Sequence, residues 1–193
     1  DVQKTVKINA LPIASYSVSS FCSGTMTQFT DISNVSDDSI ISRNWNFGDT
    51  ISGSANVSVL KNPSHIFQSG AIYSVQLIVT SSSSCKDTVV KAVDILQSPI
   101  ASFTADSVCK GSTTTFVNSS SCAGMCTWSW NFGDGSFTSL KNPMHYYAST
   151  GTYTVILTAS SSNGCRNKDT ALVNINHFPN PGFTDNILCA GTP

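Results

Sequence analysis

One stretch of this chain occurs twice, and that repetition constrains the fold more than any single motif. Residues 128–147 read WSWNFGDGSFTSLKNPMHYY, and residues 43–67 read RNWNFGDTISGSANVSVLKNPSHIF. Trp45 matches Trp130, Asp49 matches Asp134, and Asn62-Pro63 with His65 match Asn142-Pro143 with His145. The register persists: His65 precedes Cys85 by 20 residues, as His145 precedes Cys165. Cys85 and Cys109 stand 24 apart, as do Cys165 and Cys189. A unit of 80 to 87 residues is longer than the small solenoid periods, so each copy is expected to be a domain with its own core. The expected division is a repeat tail at 1–13, a domain at 14–97, another at 98–178, and the start of a further repeat at 179–193. Such ends suggest a piece of a longer tandem array.

The apolar residues alternate. In GTYTVILTASS (151–161), Tyr153, Val155, Leu157 and Ala159 face one way and the threonines with Ile156 the other. Tyr73, Val75, Leu77 and Val79 repeat the pattern in the first copy. This period of two marks a half-buried strand. Thr27–Thr30 and Thr114–Val117 read as a shorter strand, and Val89–Ile95 and Thr170–Ile175 as the last. Asn-Pro pairs and glycine turns break the segments every 8 to 12 residues, which predicts an all-β chain of tandem Ig-like sandwiches, about seven strands each.

Composition agrees. All 11 acidic residues are Asp, and Ser with Thr make about a quarter of the chain. Glutamate favours helices, whereas Thr, Val, Ile, Tyr and Phe favour strands. With 10 basic residues the net charge is -1, which gives nucleic acid no clustered cations to bind. No apolar run approaches the length of a membrane span, so no membrane insertion by this segment is expected.

Trp45 and Trp130 occupy equivalent positions and are the expected core anchors. Arg43 stands where the other copy has Trp128, so Trp128 is expected near the edge of the core. Gly133-Asp134-Gly135 reads as a turn, with Asp accepting from backbone N–H groups and Gly supplying positive φ.

At these residues the chain resembles the PKD-domain family, whose hallmarks are W-x-F-G-D-G, then Pro-x-H-x-Y, then G-x-Y-x-V-x-L. Here they are WNFGDG (130–135), NPMHYY (142–147) and GTYTVILT (151–158); the first copy departs at Thr50 and Phe67 and carries five extra residues before Asn62. The resemblance implies an Ig-like β-sandwich and an extracellular spacer or adhesion module. The cysteine pair and the run SPIASFTADSVCKG look like tandem PKD repeats of giant adhesins from bacteria that use type IX secretion and glide. That match implies a structural and adhesive segment on the bacterial cell surface. Its partners would be neighbouring repeats of the same chain, surface polysaccharide or other cell-surface proteins. The rival expectations are an accessory binding or spacer module of a secreted polysaccharide- or protein-degrading enzyme, using Trp128 and Phe137 as exposed aromatics, and a subunit of a self-assembling extracellular fibre.

The candidate chemical groups each have a plainer reading. Asp49 and Asp134 are lone carboxylates with no second at a fixed offset, so they read as turn residues rather than general acids, and no enzyme activity is expected. His65 and His145 read as structural, since one histidine per copy leaves a metal unheld. Cys122, Cys126 and His145 form a possible zinc set, though secreted cysteines usually oxidise. The expectation is no cofactor, with Ca²⁺ as the alternative: Asp31, Asn34, Asp37 and Asp38 share one loop, which the second copy lacks.

Seven cysteines at repeating spacings suggest an oxidising compartment. The expected bridges lie within copies, Cys22 to Cys85 and Cys109 to Cys165, with a local Cys122–Cys126 bridge; Cys189 would pair beyond residue 193. Finally, Asp-Ser/Thr-apolar triplets place Ser39, Thr50, Thr88, Ser107 and Thr170 in a pattern resembling the O-glycosylation acceptor of the same bacterial group. Glycans there would solubilise a nearly uncharged surface.

Overall fold

The computed structural model describes residues 8–177 and Gly182. The further repeat expected at 179–193, the Cys189 thiol and the first seven residues lie almost wholly outside that range. The chain divides into two compact bodies. The first runs to Pro99 and takes in Cys122–Cys126 and Ser160–Asn167; the second comprises Ile100–Ser121, Thr127–Ala159 and the residues from Lys168.

The first copy forms β1 (Tyr16–Ser19), β2 (Met26–Asp31), β3 (Ile40–Asn46), β4 (Val57–Ser58), β5 (Ser64–Ile66), β6 (Ala71–Ser81) and β7 (Lys86–Ile95). They build two sheets, β1-β2-β5 and β4-β3-β6-β7. The five extra residues fall within a short 3₁₀ segment, Thr50–Asn56. The second copy forms β8 (Phe103–Ala105), β9 (Val108–Cys109), β10 (Thr113–Asn118), β11 (Cys126–Asn131), β12 (Phe137–Thr138), β13 (Met144–Tyr146), β14 (Gly151–Ser161) and β15 (Arg166–Asn176). Its sheets are β13-β10-β8 and β12-β11-β14-β15-β9. Both copies are thus β-sandwiches.

Alternation places the core where the sequence put it. Val75, Leu77 and Val79 of β6 are 0% exposed, as are Val155, Leu157 and Ala159 of β14. Between the sheets of the first copy they meet Tyr16, Phe29, Trp45, Phe47 and Phe67. In the second, Val155 and Leu157 meet Phe103, Phe116, Trp130, Phe132 and Tyr147. Each core is therefore rich in aromatic rings, and apart from the Trp–Phe pair on one strand these meet tilted or edge-on: Tyr16 and Trp45 have centroids 5.2 Å apart at 67°, Phe103 and Trp130 5.0 Å apart at 75°. Such geometry suits the ring quadrupoles better than a face-to-face sandwich. The last strands begin earlier than alternation suggested. β7 starts at Lys86 because β6 continues to Thr80 and Ser81, and Thr80 pairs with Lys86.

The local Cys122–Cys126 bridge is present, but the long bridges expected within copies, Cys22 to Cys85 and Cys109 to Cys165, are not the ones found. Cys22 bonds Cys165, Cys122 bonds Cys126, and Cys85 and Cys109 are free. The reason is strand length. Cys22 pairs in parallel with Leu96, just past the end of β7, while Cys85 immediately precedes its first residue. Eleven residues of extended chain span roughly 36 Å, against about 4.4–6.8 Å between the Cα atoms of a bridge. The second copy repeats the arrangement: Cys109 pairs with Asn176 at the end of β15, and Cys165 precedes its start. Neither within-copy bridge can close.

Candidate functional site: a repeated tryptophan, aspartate and histidine cluster

The residues that recur in both copies converge on one cluster per sandwich. Trp45 lies on β3 and Trp130 on β11, each buried. Their indole N–H groups donate to the Leu60 and Leu140 carbonyls, both at 2.9 Å. Two residues on, Phe47 and Phe132 stack near-parallel on the tryptophans at 6.4 Å. Phe47 then stacks on His65 (centroids 4.5 Å, 14°), and Phe132 on His145 (4.0 Å, 1°). Each histidine Nε2 meets the turn aspartate, His65 to Asp49 Oδ2 at 2.9 Å and His145 to Asp134 Oδ2 at 2.7 Å.

The turn is built as its residues dictate. Asn46 Oδ1 accepts from Gly48 N–H and Asn131 Oδ1 from Gly133 N–H, both at 2.9 Å. Asp134 Oδ1 accepts from Ser136 N–H at 2.9 Å, the acceptance expected of a turn aspartate. Gly133 and Gly135 have φ of 82° and 91°. The turn then sends its other carboxylate oxygen to the histidine, tying the β11 corner to β13. The pairing was not foreseen, since Asp and His stand 16 residues apart in one copy and 11 in the other. Burial alone would raise the Asp134 carboxyl, but bonds from His145 and Ser136 outweigh it and hold it below the usual carboxylate range.

The Asn-Pro element has a second task. Asn62 Oδ1 accepts from Asp31 N–H and Asn142 Oδ1 from Asn118 N–H, both at 3.0 Å. The adjoining Pro63 and Pro143 carbonyls accept from Phe29 and Phe116 N–H. Side chain and carbonyl thus continue the β2–β5 and β10–β13 ladders where proline could not donate.

Two further ties were missed by sequence reasoning. Asp87 Oδ2 accepts from Ala14 N–H at 2.7 Å, and Asp169 Oδ2 from Phe103 N–H at 3.0 Å, so each pins the start of its copy to the last strand. The signal was present: both aspartates follow the second cysteine within four residues.

The proposed calcium loop is engaged elsewhere. Asp31 Oδ2 accepts from Arg43 Nε at 2.6 Å and Asp31 Oδ1 from Ser33 N–H at 2.9 Å. The Asp38 carboxylate takes Ser82 Oγ and the Ser39 and Ser83 amides. Among the described residues no three His, Cys, Asp or Glu side chains gather as a metal site. The zinc set is likewise spent, with Cys122 bonded to Cys126 and His145 to Asp134.

The Arg43–Asp31 pair explains the Arg/Trp exchange. In the second copy Trp128 stands for Arg43 and Asn118 for Asp31, and Trp128 packs half-buried against the core. Burial would raise the Asp31 carboxyl, but the Ser33 and Arg43 bonds outweigh it and lower it. A depressed folded-state value stabilises the fold above the unfolded value of about 3.9 and loses that stability as pH falls through the folded value. Asp31→Asn is therefore expected to cost about 1–2 kcal/mol near neutrality and to flatten the loss of stability below about pH 4. Denaturant titrations from pH 7 to pH 2 check it; equal acid sensitivity in the variant would refute the assignment.

The family model for the PKD domain matches residues 9–95 and again 96–176. The chain belongs to the PKD-domain family. Its tandem PKD repeats resemble part of a collagenase, ColA of Bacillus cereus, at 44% identity over 50 residues. That stretch is 26% of this chain and 5% of the collagenase, so the chain spans only a small part of the relative it matches. Among solved structures, the first PKD domain of Vibrio anguillarum Epp is 29% identical, covering 42% of this chain and 96% of its own (TM-score 0.39). The first PKD domain of the Vibrio cholerae metalloprotease PrtV is 25% identical, covering 41% and 98% (TM-score 0.38). PKD domains are non-catalytic modules of surface and secreted proteins, and the disulfides fit an extracellular setting.

Proposed function

We propose that these PKD repeats form a stalk or adhesin segment of a long extracellular repeat protein on the bacterial cell surface, exported by type IX secretion in a gliding organism. One observation carries this reading: the recurring aspartate, histidine, asparagine and tryptophan are each spent on holding their own sandwich. The aspartate meets the histidine, the asparagine extends a ladder, and the tryptophan N–H meets a carbonyl. What the repeats share is architecture. Carbohydrate on Ser39, Thr50, Thr88, Ser107 and Thr170 belongs to the same reading, and all five side chains stand exposed.

A second reading draws on the collagenase and metalloprotease relatives: an accessory module that binds the substrate of a secreted degrading enzyme. Phe137, 67% exposed, is the ring it would use. A fibre of laterally joined copies is a third arrangement of the same units. The test has two arms. Antibodies raised against this segment are expected to decorate intact cells. Insoluble collagen, cellulose and chitin are expected to retain none of the purified chain. Retention that Phe137→Ala abolishes would overturn the stalk reading in favour of the accessory module.

A further inference from the structure

Each repeat carries its two recurring cysteines at opposite ends of its last strand. Cys85 precedes β7 and Cys22 lies against Leu96 beyond it; Cys165 precedes β15 and Cys109 lies against Asn176 at its end. A pair separated by a whole strand cannot crosslink its own sandwich. The bond that does form follows a different rule. Cys22 holds the first-cysteine position of the first repeat, Cys165 the second-cysteine position of the second, and their Cα atoms are 5.6 Å apart. Extended by one repeat in either direction, the same rule leaves Cys109 matched to a second-position cysteine and Cys85 to a first-position one. Both are thiols and both are partly exposed.

We propose that Cys85 and Cys109 are crosslinking sites for further PKD repeats of this kind. Cys109 takes the second-position cysteine of a following repeat, and Cys85 the first-position cysteine of a preceding one. The covalent product is a disulfide ladder in which every bond joins one repeat to the next. Each bond forms by exchange with a small disulfide oxidant such as oxidised glutathione. One cysteine thiolate attacks the oxidant, forming a mixed disulfide and releasing one glutathione thiolate. The partner thiolate then displaces the second. In sum, the two cysteines lose two protons and two electrons, one S–S bond forms, and the oxidant's S–S bond becomes two thiols.

The purified chain supplies both partners, because one copy's Cys109 can take another copy's Cys85. Cys189→Ser serves as the background, with Cys85→Ser and Cys109→Ser each added to it separately. In a glutathione redox buffer each double variant alone is expected to remain monomeric on non-reducing electrophoresis. An equal mixture is expected to double in apparent mass, reversibly on reduction, with peptide mass spectrometry locating the link at Cys85–Cys109. Alkylating the Cys85 thiol of the folded Cys109→Ser variant before mixing should abolish the dimer, which guards against misfolding of either variant. Variants that dimerise alone as readily as together would reduce the bond to indiscriminate oxidation and overturn the proposal. A mixture that stays monomeric with both thiols open to alkylation would overturn it as well. The readout concerns the isolated chain, so it stands or falls separately from the adhesive reading.

Discussion

Trp130→Ala is expected to lower the unfolding free energy of the second PKD repeat by about 3–5 kcal/mol. The side chain is fully buried and sits between Phe103, Phe116 and Phe132, with centroids at 5.0, 5.4 and 6.4 Å. Truncation leaves a cavity among rigid rings that cannot collapse into it, and it strands the Leu140 carbonyl. Small domains are typically stable by about 5–15 kcal/mol, so the loss takes a large share of the total. Urea titration by far-ultraviolet circular dichroism reads it, with Trp45→Ala as the matching change in the first repeat. Trp130→Phe should cost much less, because it keeps a ring and loses mainly the indole bond. A cost for Trp130→Ala below about 1 kcal/mol would mean that Trp130 is not the anchor of that core.

Gly133→Ala is expected to destabilise the same repeat by about 3 kcal/mol or more. Two effects add. Gly133 has φ of +82°, and a Cβ there would stand 2.6 Å from the Thr154 carbonyl oxygen on β14. Backbone cannot swing aside as a flexible side chain would, so the β11 corner must lift from β14. Gly135 separates the two effects, since its φ is +91° but nothing lies within 4 Å of its Cβ position. Gly135→Ala should cost only about 1–2 kcal/mol, the left-handed penalty alone. Equal costs at the two glycines would show that the close approach to β14 contributes nothing. A Cβ on Gly48 would stand the same 2.6 Å from the Ser74 carbonyl oxygen, so the constraint recurs in the first repeat.

The sandwiches were legible because period-two alternation is a local signal, visible in Val75, Leu77 and Val79 without knowledge of any partner strand. The core tryptophans were legible because the repeat supplied each with an equivalent. Trp128 at the edge was legible because Arg43 stands in its place, although the Asp31 and Asn118 that change with it were not. The Asp–His tie was hidden because the loop between them differs in length between copies, and the register of β5 on β2 is set by pairing at a distance. The two long cysteine pairings failed for a related reason. Equal spacing shows that cysteines occupy equivalent positions, but not at which end of a strand each stands. Only the parallel pairing of Cys22 with Leu96 reveals that, and it joins residues 74 apart in sequence.

That parallel pairing also decides how a repeat yields to tension along the chain. The segment entering each sandwich lies beside the segment leaving it and runs the same way: Leu96 N–H donates to the Phe21 carbonyl, Ser23 N–H to the Leu96 carbonyl, and Lys110 N–H to the Asn176 carbonyl. With the Cys22–Cys165 bond reduced, pulling the two ends of a repeat apart slides these segments past one another. Their hydrogen bonds are then loaded together in shear, rather than opened one at a time as a zipper, so each repeat resists as a unit until the whole patch gives way.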